Sequence, residues 1–246
     1  MGLLEGRVAV ITGAGSGIGK AAAMIFVREG ARVVVSDLSG AQNETASQLG
    51  EAAIAVHCDV TVESDVEEAV RAATEHFGRI DAMLNVAGIA TGALIKDVSR
   101  EHFDATIDVD LRGVLHGMKH GILAMLERKQ GGSVVNISSA GALNGSPGTS
   151  VYSAAKAGVN AMTKAGAVEY GYRGIRVNAI CPGFIRTEIM GATIDQIPGS
   201  SEKAALRRVG MPEEVAELAA FLASERASFI SGAIIPVDGG WTAKLA

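Results

Sequence analysis

The sequence predicts an α/β fold: a doubly wound parallel sheet of about seven strands with helices on both faces. Three observations predict it. Short runs rich in Val, Ile and Ala alternate with longer segments of helical apolar spacing along all 246 residues, as strands joined by crossover helices do. Several of these runs, VVV at 33–35 among them, are apolar without a break, which fits strands buried on both sides. A glycine-rich turn, TGAGSGIG at 12–19, stands directly between the first run and the first helix.

Arg7 to Ile11 (RVAVI) is the first strand and Lys20 to Glu29 the first helix, with Gly30 placed as a C-cap glycine. Ala31 to Ser36 (ARVVVS) is the second strand and ends at Asp37; Ala53 to His57 is the third. Val62 to Phe77 reads as a helix whose inner stripe is Val62, Val66, Ala69, Val70 and Ala73. Ile80 to Asn85 is a strand, Glu101 to Arg128 one long amphipathic helix, and Ser133 to Ser138 a strand. Val151 to Tyr170 is a helix, Ile175 to Ile180 a strand, Pro212 to Ala223 the last helix and Ala233 to Val237 the last strand. No repeat, low-complexity tract or break in composition divides the chain, so residues 1–246 are expected to form one domain. The stretch 187–201, which contains GATIDQIPGSS, reads either as an ordinary surface loop or as a flap over a pocket.

Hydrophobic residues make up 48% of the chain and aromatic residues 4%, with 31 glycines; this is packed sheet and helix with tight turns, not a disordered chain. A net charge of -5 leaves no basic footprint, so nucleic acid is not an expected partner. Cys58 and Cys181 lack metal-site spacing and read as buried thiols in a reducing compartment, and no metal is expected. No segment approaches the ~20 apolar residues that span a bilayer. The N-terminus enters a strand pattern with no signal layout, so a cytoplasmic location without a membrane partner is expected.

In the turn at 12–19, glycines let the backbone bend tightly and approach a pyrophosphate, which the free N–H groups of the following helix can stabilise. Asp37 follows Gly19 by 18 residues, near the ~20 expected of an acid that binds the adenosine ribose hydroxyls. Its charge would repel a 2′-phosphate, and neither Ser36 nor Leu38 offers a cation, so the expected cofactor is NAD rather than NADP. The bland alternative for Asp37 is a turn residue at a strand end. A second cluster lies in NISSAGALNGSPGTSVYSAAK at 136–156. Tyr152 and Lys156 are four apart on a helix and share a face, and Ser139 stands just past a strand. An ammonium beside a phenol favours the phenolate, which suits the tyrosine to proton transfer in both directions. Y-x-x-x-K alone is weak, because on most helices it is packing plus a solvated lysine.

Together these motifs resemble the short-chain dehydrogenase/reductase family, in its branch of chains of about this length. The glycine pattern falls on Thr12, Gly13, Gly17 and Gly19, and the acid beside the adenine on Asp59. The N-N-A-G turn appears as Asn85-Val86-Ala87-Gly88, with its second Asn changed to Val. The nicotinamide-side motif matches Pro182, Gly183 and Thr187 with Ile185 between them, and Asp238-Gly239-Gly240 is similar to the closing motif.

The resemblance implies a Rossmann fold, with Ser16, Ile18 and Val60 joining these residues around the cofactor. It implies that Tyr152 moves the proton, that Lys156 holds the nicotinamide ribose and activates the tyrosine, and that Ser139 hydrogen-bonds the carbonyl oxygen. The usual Asn of the fourth catalytic position is Asp110 here, in VDLRGV; a carboxylate bordering the inner face needs partners or a proton, and the expectation is an active enzyme nonetheless. The expected activity is NAD(H)-dependent interconversion of a small-molecule secondary alcohol and its ketone. A 3-oxoacyl thioester reductase is the alternative, against which Asp37 argues, and a non-catalytic nucleotide-binding member is a third reading. Leu94, Ala140, Leu143, Ile189 and Met190 are expected to line a mainly apolar substrate pocket. A homotetramer is expected from the family and from helices with apolar residues on more than one side (Leu111, Val114, Leu115, Met118, Val159, Met162), with the segment 238–246 near a symmetry axis.

Overall fold

The computed structural model describes residues 2–187 and 199–243. Its apolar runs form seven parallel strands in one sheet: β1 (Val8–Thr12), β2 (Arg32–Asp37), β3 (Ala53–His57), β4 (Ala82–Asn85), β5 (Gly132–Ile137), β6 (Ile175–Pro182) and β7 (Ile234–Val237). Their order is β3-β2-β1-β4-β5-β6-β7. The chain steps outward from β1 to β3, then returns to the other side of β1 and steps outward again to β7. The order therefore reverses between β1 and β4, where an open parallel sheet has a crevice at its carboxyl ends.

Side chains along each strand alternate between two cores. Ile11, Val33, Val35, Leu84 and Val135 face α1 (Gly17–Arg28) and α8 (Pro212–Ala223), where they meet Phe26, Val215 and Leu222. Val10, Val34, Met83, Val134 and Val177 face α3 (Glu63–Phe77), α5 (Gly113–Arg128) and α6 (Ser150–Tyr170), where they meet Val70, Met118, Ile122 and Val159. Each fully buried aliphatic side chain contributes roughly 1.5–3 kcal/mol, which is why the unbroken apolar runs occupy the centre of the sheet. α5 lies close against β4: a Cβ on Gly117 would sit 1.8 Å from Asn85 Oδ1.

The expected elements are present with ends shifted by a few residues, and a single turn, α7 (Ser200–Lys203), precedes α8. Four details differ. α2 (Gln42–Leu49) was not anticipated, because only Gln42 and Thr45 of it are buried and no apolar stripe marks it. The long helix is three pieces in one line: α4 (Arg100–Ile107), a π turn at Asp108–Arg112, and α5. Val62 precedes α3 in extended conformation and is 44% exposed, so it is no part of the inner stripe. Val114, Met118 and Val159 belong to the sheet-facing core, whereas Leu115 and Leu123 are the exposed apolar residues of α5. Of the expected loop at 187–201, residues 188–198 lie outside the described residues, as do 244–246 of the closing segment.

Candidate active site

At the crevice the glycine turn is held from three sides. Gly13 has φ +67°, and a Cβ on it would lie 2.8 Å from Ala87 Cα; a Cβ on Gly19 would lie 2.0 Å from the Gly13 carbonyl oxygen. Neither position accepts a side chain. Thr12 Oγ1 accepts from the N–H groups of Val86 (3.1 Å) and Ala87 (3.3 Å), which ties β1 to the turn after β4. Thr45 Oγ1 donates to the Ala14 carbonyl (3.0 Å), so the unanticipated α2 braces the turn from the other side. The first N–H groups of α1, without a side-chain cap from Ser16, are left for an anion.

Asp37 ends β2 beside this turn. Its Oδ2 accepts from Gly15 N–H (3.0 Å), and its Oδ1 from Ser39 N–H (2.9 Å) and Oγ (2.7 Å). The carboxylate is thus oriented by neutral donors, with no cation paired to it among the described residues. Asp59, after β3, is oriented in the same way by Thr61 N–H and Oγ1.

Across the cleft, β5 and α6 bring Ser139, Tyr152 and Lys156 together. Ser139 Oγ accepts from Gly141 N–H (3.0 Å), so its own hydrogen is free to be donated. The Lys156 ammonium lies 5.8 Å from the Tyr152 ring centroid and donates to the Ile137 carbonyl (3.2 Å). Ser138 Oγ fixes the helix by donating to the Lys156 carbonyl (3.0 Å). A hydroxyl, a phenol and an ammonium arranged in this way can polarise and protonate a carbonyl oxygen.

The π turn places Asp110 under this group, fully buried. Its Oδ1 accepts from Ile89 N–H (3.1 Å) and lies 3.2 Å from Lys156 Nζ, while its Oδ2 is buried without a hydrogen-bond partner among the described residues. Burial pushes the Asp110 carboxyl up from its ordinary value, against the pull of Lys156 and the Ile89 N–H. Burial pulls Lys156 down, but the charge of Asp110 and the Tyr152 phenol outweigh it, and the net displacement is upward.

These residues line one cleft of about 390 Å³, with Gly13, Ser16, Gly17, Ile18, Gly19, Asp37, Asp59, Val60, Ala87, Gly88, Pro182, Gly183, Ile185 and Thr187 along its walls. Asn85 is the exception. Its side chain is buried beneath the cleft and donates to Asn136 Oδ1 (2.8 Å), which stitches β4 to β5 instead of facing a ligand. Ala140 is fully buried, and Leu94 and Leu143 are exposed outside the cleft walls, so these three do not line it; Ile189 and Met190 lie outside the described residues. Leu38, Ser39, Cys58, Ile89 and Ala90 line the cleft without having been anticipated. Each neighbours a motif residue in sequence, which was the available signal. Burial pushes the Cys58 thiol up to about 12, so it meets the cleft as a neutral group.

The residues present fit a nicotinamide dinucleotide: a turn closed to a Cβ at Gly13 and Gly19, free helix N–H groups, a carboxylate at the end of β2, and a hydroxyl, a phenol and an ammonium on the opposite wall. Among the described residues no helix is long and apolar enough to cross a membrane.

Comparison with known proteins agrees with this geometry. The model of a family described as enoyl-(acyl carrier protein) reductase matches residues 13–242. The chain is 39% identical to the 3-oxoacyl-(acyl-carrier-protein) reductase FabG of Thermotoga maritima, over 96% of this chain and 98% of that protein. It is 40% identical to the meso-2,3-butanediol dehydrogenase of Serratia marcescens, over 98% of this chain and 96% of that one. The crystal structure of levodione reductase superposes with a TM-score of 0.92 at 35% identity, covering 98% of this chain and 100% of the other. The chain belongs to the short-chain dehydrogenase/reductase family, and it is an oxidoreductase acting on CH–OH groups with a nicotinamide cofactor.

Proposed function

We propose that the protein is an NAD(H)-dependent dehydrogenase that interconverts a small secondary alcohol and its ketone. The observation that carries the choice of NAD is Asp37, held at the end of β2 by Gly15 and Ser39 with Leu38 as its other neighbour in the cleft wall. A charged carboxylate there accepts from two ribose hydroxyls and repels a phosphate.

When bound, the nicotinamide supplies or receives the hydride. The chain does the rest. Ser139 donates to the substrate oxygen, Tyr152 exchanges the proton with it, and Lys156 stands beside the phenol to hold the ribose. The N–H groups of α1 and the turn at 12–19 hold the pyrophosphate. Pro182, Gly183, Ile185 and Thr187 form the nicotinamide side of the cleft.

Turnover of a panel of secondary alcohols and diols with NAD and with NADP tests this reading. NAD-linked oxidation is the expected outcome. Preference for NADPH with 3-oxoacyl thioesters would favour the second reading, a 3-oxoacyl thioester reductase, which the resemblance to the Thermotoga enzyme supports. We further infer one domain over residues 1–246, a cytoplasmic location and a homotetramer. The tetramer is supported by Phe103, Leu115 and Leu123, exposed apolar residues of α4 and α5, and sedimentation at micromolar concentration tests it. A monomer would overturn it.

A further inference from the structure

Lys156 is 3% exposed, and among the described residues its ammonium meets the Ile137 carbonyl, the face of Tyr152 and Asp110 Oδ1. Of these, Asp110 alone brings a carboxylate. The other charged groups of its turn, Asp108 and Arg112, are occupied with each other at 2.6 Å. From β6 the pair is faced by the Cys181 thiol, which burial pushes up and keeps neutral, and from α6 by Tyr152. Gly88 closes the site from above: a Cβ there would lie 2.7 Å from Asp110 Oδ1 and 3.4 Å from Lys156 Nζ. The contact is thus built into the packing. It has a cost, since Oδ2 is buried with no hydrogen-bond partner among the described residues.

We propose that Asp110 is a positioning residue that holds the Lys156 ammonium charged and fixed beneath the cleft, and so keeps the reaction working to higher pH than a neutral side chain at 110 would allow. The catalytic half of this statement rests on the dehydrogenase reading; the ion-pair half does not. Asn, the residue that the resemblance leads one to expect here, can accept the same Ile89 N–H but brings no charge. A buried ammonium without a counter-charge gives up its proton at lower pH, and an uncharged lysine holds a ribose more weakly and brings no positive charge to the site.

The sign for stability follows. In the parent the folded Lys156 is displaced upward, so its contribution is present below its unfolded value and is lost as pH rises through the folded one. In Asp110→Asn the largest upward contribution is removed, burial outweighs what Tyr152 and Cys181 leave, and the expected displacement is downward. The unfolded chain then binds more protons across that interval, and the variant gains stability as pH rises.

Two measurements on the full chain test the proposal, each with Asp110→Asn and, as a second variant, Asp110→Ser. The first is the melting temperature without cofactor, from pH about 7 to about 9.5. Both variants are expected to melt below the parent at neutral pH, with the gap at least halved at the alkaline end; a gap that does not change with pH would overturn the ion-pair role. The second is kcat/KM against pH for an alcohol oxidised by the parent. Its alkaline limb is expected to fall by about one unit or more in the variants, and an unmoved limb would overturn the catalytic half. Absence of turnover in the parent would instead remove the dehydrogenase reading, with the melting series still deciding whether Asp110 holds the lysine charged.

Discussion

Two carboxylates serve the ends of one cleft in opposite ways. Asp37 is partly exposed and oriented by uncharged donors, two N–H groups and one hydroxyl. Asp110 is fully buried, with one charged partner, one N–H and one oxygen left bare. The first is anchored without being neutralised, so its charge acts on what enters the cleft. The second is spent inside the protein, on Lys156, and acts on a ligand only through that lysine. Sign and side-chain type are the same; the surroundings leave one charge facing the cleft and pair the other inside the protein.

The sharpest way to separate the two ends is Tyr152→Phe. It keeps the ring and removes the proton, so turnover should fall by about 10²–10⁴ while NADH binding, followed by fluorescence, changes little. Retention of most of kcat would mean that another group moves the proton. Next comes stability. Asp110→Ala leaves Lys156 buried without its counter-charge and should cost about 3–5 kcal/mol, measured by urea unfolding. Asp37→Ala removes bonds at a partly exposed site and should cost about 1 kcal/mol. Equal losses would erase the contrast.

Cofactor choice should respond in the reverse order. Asp37→Ala should shrink the NAD preference in kcat/KM by about tenfold, some 1.4 kcal/mol, and an unchanged ratio would assign the selectivity elsewhere. A third carboxylate gives the smallest effect. Glu214, exposed at the start of α8, accepts from Met211 N–H (2.8 Å) and pairs with Arg208 (2.7 Å). Arg208 first, then the Met211 N–H, lowers its carboxyl to about 2. Because the folded value is depressed, its contribution is present above the ordinary value of 4.5 and is lost as pH falls through about 2. Glu214→Ala should lower the melting temperature by about 2 °C at pH near 7, with the difference fading in acid.

Much of the nucleotide end was legible because its signals are local. A position where a Cβ would lie 2.0 Å from a carbonyl oxygen, as at Gly19, announces itself by residue type. Strand, turn, helix and the acid at the next strand end follow within the first forty residues. Ser139, Tyr152 and Lys156 were legible in the same way, from a strand end and one helical turn. α2 was not, since Gln42 and Thr45 are its buried residues and polar side chains leave no periodic mark. The direction of the Asn85 side chain was not legible, because a strand-end residue beside a cleft has two directions open to it. Here Asn136 on the neighbouring strand offers a partner, and Gly117 on α5 leaves the space.

By itself the sequence determined which segments form strands and helices, where the chain turns, and which chemistry-bearing residues fall on one face. Those properties follow from backbone sterics and from periods of two and 3.6 residues, which act over a few positions. Tertiary structure decided what each face meets. Val114 and Met118 lie under the sheet while Leu115, on the same helix, stays outside, because the packing of α5 against β4 selects the buried side. The same long-range packing set Asp110, which its neighbours in sequence marked only as bordering an inner face, against a lysine 46 residues further along the chain. No local rule contains that distance of 3.2 Å, because it results from two helices and a strand packing together around Gly88.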